Sequence, residues 1–213
     1  MNDALDDAYE AIKYDPAFHA LQDFHRNAFV PGEGVLNPQA FIIGEAPNAV
    51  EASFKRPAHG NTGRVTRDLM SLAGLNSDPW VHMYGIHANC WLTNVCKYRP
   101  PMGRGLTPEE VAASRPHLRR EWQAVGSPRV IVTLGGAALA AISGHRITNA
   151  ILNNMSTLGE VYAQQSKDGT LMFIWPMIPP THGLLHPKAQ PLIEKQWERL
   201  GVWLAETKGH PSA

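Results

Sequence analysis

The sequence predicts a three-layer α/β sandwich built on a central, mainly parallel four-stranded sheet. Three observations carry that expectation. Four short apolar runs, residues 40–44, 89–94, 129–134 and 172–178, are rich in β-branched or aromatic side chains, and such near-continuous hydrophobicity marks strands covered on both faces. Helical patterns fall between the runs, and strand–helix alternation packs helices on both sides of a parallel sheet. A length of 213 residues suits one mid-sized domain with a substantial core, so residues 1–213 are read as a single unit.

Taken in chain order, a helix is expected over residues 3–13 and another near 17–27, followed by the first strand at 40–44. Residues 62–73 read as a helix before the second strand. The helix at 107–125 carries its own start signal: Thr107 as N-cap with Glu110 completing a capping box. The turn Gly135–Gly136 after the third strand leads into a helix at 137–143. A last helix at 191–207 places Leu192, Ile193, Trp197, Leu200 and Leu204 on one face. There is no repeat, low-complexity tract or interdomain linker, and the polar tail after Lys208 is expected to be mobile.

Composition narrows the function classes. The net charge is zero, but Asp3, Asp6, Asp7 and Glu10 all lie in the first ten residues, leaving 19 basic against 15 acidic residues beyond them, a net charge of +4. Basic residues gather as Lys97, Arg99 and Arg104 and again as Arg115, Arg119 and Arg120, either solvated faces or phosphate contacts. No window approaches the roughly 20 apolar residues of a membrane span, and the N-terminus is acidic where a signal peptide would be basic. A cytoplasmic protein without membrane association is expected. Cys90 and Cys96 fall in or beside one strand, giving neither a disulfide framework nor a four-thiolate metal site. No Walker loop or GxGxxG fingerprint appears.

In an open parallel sheet, ligands bind beyond the carboxyl ends of the strands. Glu45 follows the first strand in FIIGEAPN, Asn94 ends the second, and PPTHGLLHP (179–187) follows the fourth, so these chemically capable residues should converge on one edge. The order GEAPN, KRPAHGNTG, LTNVCKYRPP with LTPEE behind it, VIVTLGGAAL and LLHP resembles the uracil-DNA glycosylase superfamily, closest to its family 4 branch. The resemblance spans about residues 26–188. Each motif alone is commonplace; their conjunction in this order is specific.

The resemblance implies hydrolysis of the N-glycosidic bond of uracil, or a related modified pyrimidine, in single- or double-stranded DNA, with the target nucleotide flipped into a pocket. By that resemblance Glu45 would orient and deprotonate the attacking water and face the developing oxocarbenium charge. Asn94 would pair with the O4 and N3–H edge of the base, and His186 would donate to O2 as negative charge accumulates there. Leu184 and Leu185 would wedge into the gap in the stack. Thr62, Gly63, Arg64, His182 and Lys188 would serve the DNA backbone. Duller readings stay open: Glu45 as a helix cap, Asn94 as a turn residue, His186 as a satisfied interior histidine, and the two leucines as core.

The sequence also departs from the family pattern. Many family 4 members hold an iron–sulfur cluster on four cysteines; the aligned positions here are Ala17, Ala20, Tyr98 and Ser114, so no cluster and no other cofactor or metal is expected. Phe18, Leu21, Tyr98 and Trp122 are candidates to replace it by packing. A phenylalanine that stacks on the base is replaced by Ala58, leaving Phe54 or His59 as substitutes. Asn48 stands where a glycine is usual and is read as a neutral change, since asparagine tolerates positive φ. The loop PPMGRGLTPEE holds no histidine, so no covalent DNA product is expected. A monofunctional, monomeric glycosylase is the expectation; a DNA-binding module of little or no activity is its first rival. A metallohydrolase using His182 and His186 is disfavoured, because Gly183 and Pro187 make that stretch a poor helix and HExxH is absent.

Overall fold

A computed structural model describes residues 3–25, 29–75, 89–143, 162–165 and 171–207. The four expected strands form as β2 (Ala40–Gly44), β3 (Cys90–Asn94), β4 (Val130–Leu134) and β6 (Leu171–Met177), all parallel. Among the described residues the sheet has six strands rather than four. A two-residue β1 (Glu33–Gly34) pairs antiparallel with β3, and β5 (Tyr162–Gln165) pairs antiparallel with β6, giving the order β1-β3-β2-β4-β6-β5. Neither edge strand carries a hydrophobic signature: β1 is too short for any period and β5 reads YAQQ. Gly34 is required in β1, where a Cβ would lie 2.1 Å from the Cys90 carbonyl oxygen and φ is +152°.

The period-two geometry of each strand divides its side chains between two cores. Ala40, Ile42, Leu92, Val132 and Trp175 face α4 (Gly60–Leu72) and α8 (Gln190–Glu206), which contribute Leu69, Met70, Ile193, Trp197 and Leu200. Phe41, Ile43, Trp91, Ile131 and Ile174 face α5 (Pro108–Val125) and α6 (Gly136–Ser143) through Leu118, Val125, Ala138 and Leu139. The three-layer sandwich therefore stands. Thr107 caps α5 through Glu110 N, and Glu110 returns to Thr107 N at 2.8 Å, completing the capping box.

A third cluster, Tyr9, Ile12, Phe18, Leu21, Cys96 and Tyr98, joins α1 (Asp3–Lys13) and the turn before α2 (His19–His25) to the loop after β3. Phe18, Leu21 and Tyr98 thus lie together as expected, whereas Trp122 packs against the α5–α6 core instead. The end of the helix expected to reach residue 27 and the tail after Lys208 lie outside the described residues.

Two short helices escape the sequence patterns: α3 (Ala49–Phe54) and α7 (Pro180–Leu185). Asn48 is not at positive φ. It has φ −80° and caps α3, its Oδ1 accepting from Val50 N and Glu51 N, while the Glu51 carboxylate accepts from Asn48 N. The stretch judged a poor helix begins with Pro180 at its first turn, where the missing N–H is no loss. Gly183 lets it approach α8, since a Cβ there would come 2.3 Å from Gln190 Oε1.

Candidate active site

β2 is flanked by β3 on one side and β4 on the other, so the chain reverses its direction of travel across the sheet between β2 and β4. Beyond the carboxyl ends of these strands opens a cleft of about 770 Å³. Glu45 and Asn94 both line it, together with Ala58, Thr62, Thr66, Arg99 and His182. Backbone bonds draw the first two loops together: Val95 N donates to Gly44 O at 2.9 Å and Cys96 N to Glu45 O at 3.1 Å.

Gly44 and Asn94 are the last register pair of β2 and β3. A Cβ on residue 44 would lie 2.4 Å from Asn94 Oδ1, so the absent side chain makes room for the Asn94 amide. Asn94 is buried and Glu45 is exposed. Glu45 Oε1 accepts from Leu106 N at 2.7 Å, which docks the loop after Pro100 onto the carboxylate and restricts its orientation. The pair offers a buried amide with donor and acceptor beside a solvent-reachable carboxylate.

Glu51 is a site residue that the sequence reading missed. It is buried, lines the cleft, and accepts from Asn48 N at 2.8 Å and from Ala58 N at 2.6 Å. Burial pushes its carboxyl above the ordinary value, against these amide bonds, which pull it down. Its bond to Ala58 N holds a non-glycine residue at φ +49°. The signal was present as the N-x-x-E spacing of Asn48 and Glu51.

The other expected residues divide. Phe54 and His59 stack on each other, ring centroids 4.3 Å apart, and neither lines the cleft, so neither stands in for a stacking ring beside Ala58. Gly63 serves packing: a Cβ there would lie 1.8 Å from the Ala58 carbonyl oxygen, which also accepts from Arg67. Arg64 is exposed and pairs with Asp68 at 3.5 Å. His186 ends α7 outside the cleft wall, its ring 4.5 Å from that of His182, which does line the wall. Leu184, Leu185 and Lys188 are exposed, excluding the core reading of the leucines; Leu185 is 76% exposed. Lys97 is wholly buried and therefore no part of a surface basic patch, and Arg104 is held bidentately by Glu110 at 2.6 and 2.8 Å.

The positions aligned with cluster cysteines do not fit an iron–sulfur group. Ala17 and Ala20 have no donor, Ser114 Oγ donates to Glu110 O at 2.8 Å, and the Tyr98 ring packs 6.3 Å from Phe18 and 5.5 Å from Phe29. The nearby Cys96 is a single buried thiol pushed up to about 11 by desolvation.

The model of the uracil DNA glycosylase superfamily matches residues 31–201, from β1 into the last helix, α8. The chain belongs to that superfamily, a class of DNA glycosylases. It is 29% identical over 185 residues to the type-4 uracil-DNA glycosylase of Sulfurisphaera tokodaii, covering 84% of this chain and 76% of the relative. The Saccharolobus solfataricus type-4 enzyme is 25% identical over 84% of this chain and 77% of its own length. The Pyrobaculum aerophilum type-4 enzyme is 34% identical over 129 residues, 59% of this chain and 60% of its own length.

Proposed function

We propose that this chain hydrolyses the bond between deoxyribose and uracil, or a related modified pyrimidine, in a nucleotide flipped out of DNA. The observation that carries this reading is the convergence of Glu45 and Asn94 on one cleft, with Gly44 leaving room for the Asn94 amide. As the glycosidic bond breaks, positive charge grows on the sugar and negative charge on the departing base. Glu45 orients water toward C1′, takes its proton and faces the sugar charge. The Asn94 amide accepts from N3–H and donates to O4, a pattern that a cytosine edge does not match. His186, its ring 4.5 Å from that of His182, donates to O2 once DNA is seated; the family resemblance supports this role and the exposure of the residue is compatible with it. Thr62, His182 and Lys188 meet the flanking backbone, and Leu184 and Leu185, exposed on α7, fill the vacated stack.

Among the described residues no Phe, Tyr or Trp lines the cleft beside Ala58, and base–aromatic stacking is worth about 1 to 3 kcal/mol. That observation favours either a larger modified pyrimidine as substrate or, as a second reading, a DNA-binding module with little activity. Excision measured across a panel of modified pyrimidines, with Asn94→Ala beside wild type, separates them. Release of one base with a loss of rate and of base choice in the variant supports the enzyme reading. An Asn94→Ala protein unchanged in both overturns the base-reading role, and DNA binding without release of any base favours the module.

A further inference from the structure

A second polar assembly lies beneath the cleft. Glu121 of α5 is fully buried, and its Oε1 accepts from Tyr9 Oη at 2.9 Å, Trp91 Nε1 at 3.0 Å and Thr93 Oγ1 at 2.9 Å. Its Oε2 meets Lys97 Nζ at 2.5 Å. Lys97, just after β3, is likewise buried, and its ammonium donates also to Thr93 Oγ1 and, at 2.8 Å, to the main-chain oxygen of Asn94. All three ammonium protons are thus used. Gly32 admits the carboxylate, since a Cβ there would lie 2.2 Å from Glu121 Oε1, and Gly32 N donates to Tyr9 Oη at 2.8 Å.

Burying a charge pair costs desolvation that a well-packed apolar pair would avoid, so such a pair adds little net stability compared with one. What it adds is direction, because each donor and acceptor fits one arrangement. Neither Lys97 nor Glu121 lines the cleft, but Thr93 and Asn94 do. The assembly therefore ends on the backbone of the residue assigned to read the base, the same residue for whose amide Gly44 makes room.

We propose that Lys97 and Glu121 are positioning residues for Asn94, fixing the end of β3 through the Lys97–Asn94 carbonyl bond so that the side-chain amide meets the base edge in one orientation. This rests on the base-reading role of Asn94. Single-turnover excision from a uracil-containing oligonucleotide, and affinity for the abasic product strand, test it in wild type, Asn94→Ala, Lys97→Met and the double variant.

Lys97→Met is expected to slow excision about tenfold while product affinity changes less than about twofold. In the Asn94→Ala background it should cause no further loss, because the positioned group is already gone. Equal factors in both backgrounds indicate general structural damage and overturn the inference, as does an unchanged rate in Lys97→Met. If Asn94→Ala itself retains the wild-type rate, the base-reading role fails first and the positioning role falls with it. Should Lys97→Met not fold, Thr93→Val is read by the same comparison: a loss of about threefold confined to the Asn94 background supports the inference, and no loss or a loss in both backgrounds overturns it.

Discussion

Adding one methyl group at Gly44 tests the construction of the site with little disturbance elsewhere. In Gly44→Ala the new Cβ would meet Asn94 Oδ1 at 2.4 Å, against the roughly 3.4 Å of ordinary contact, so the amide must retreat by about 1 Å. A displacement of that size in a positioned group can cost on the order of 100-fold in rate, about 2.7 kcal/mol of transition-state stabilisation. Gly44 is not at positive φ, so alanine suits its backbone, and loss of unfolded-state freedom should stabilise the chain by about 0.4 to 1 kcal/mol. That gain offsets strain from the displaced amide, leaving net stability within about 1 kcal/mol of wild type. Single-turnover uracil excision paired with urea unfolding gives both quantities. A wild-type excision rate in Gly44→Ala would refute the claim that Asn94 must occupy this place, and a rate loss explained by unfolding would refute the claim that the methyl acts locally.

Two further outcomes concern the apolar cluster of Tyr9, Ile12, Phe18, Leu21, Cys96 and Tyr98. Phe18 is 1% exposed, with its ring 5.8 Å from that of His117 and 6.3 Å from that of Tyr98, so Phe18→Ala should cost about 3 to 5 kcal/mol in chemical denaturation while the folded fraction keeps its excision rate. Asp15 joins His117 at 2.7 Å and caps the turn at Phe18 through Ala17 N; the His117 bond, then the Ala17 amide, hold its carboxyl below its ordinary value. A depressed native pKa means that the unfolded chain binds the proton more tightly. The contribution of Asp15 is therefore present above about pH 4, the unfolded value, and is lost as pH falls through the lower native one. Asp15→Asn should flatten the stability profile in that acidic window, and an unaltered slope there would contradict the clip.

The parallel sheet was legible because β2, β3, β4 and β6 are apolar on both faces, and burial on both faces leaves a mark on every residue. The capping box of Thr107 and Glu110 was legible because it is local in sequence. Edge strands β1 and β5 depend on their neighbours' hydrogen bonds rather than on hydrophobic side chains, and α7 depends on Gly183 lying against α8, a contact no local pattern encodes. At the site, Glu45 and Asn94 could be located by a rule about strand ends. Lys97 could not: its place at the head of a basic-looking KYR run suggested a surface charge, while its partner Glu121 lies 24 residues away on α5. For Glu51 the N-x-x-E spacing marked the cap, but its acceptance of the Ala58 amide depends on a turn seven residues on and left no local mark. Phe54 and His59 satisfy each other's ring faces, a pairing that their separation in sequence did not reveal.

Glycosidic cleavage by a water held at Glu45 is the claim on which the rest depends. Free uracil released from single- and double-stranded oligonucleotides by wild type and by Glu45→Ala measures it most directly. The account predicts release by wild type and a loss of about 100- to 10,000-fold in the variant, with DNA affinity retained. Equal release by both proteins, or none by either while DNA remains bound, would contradict it.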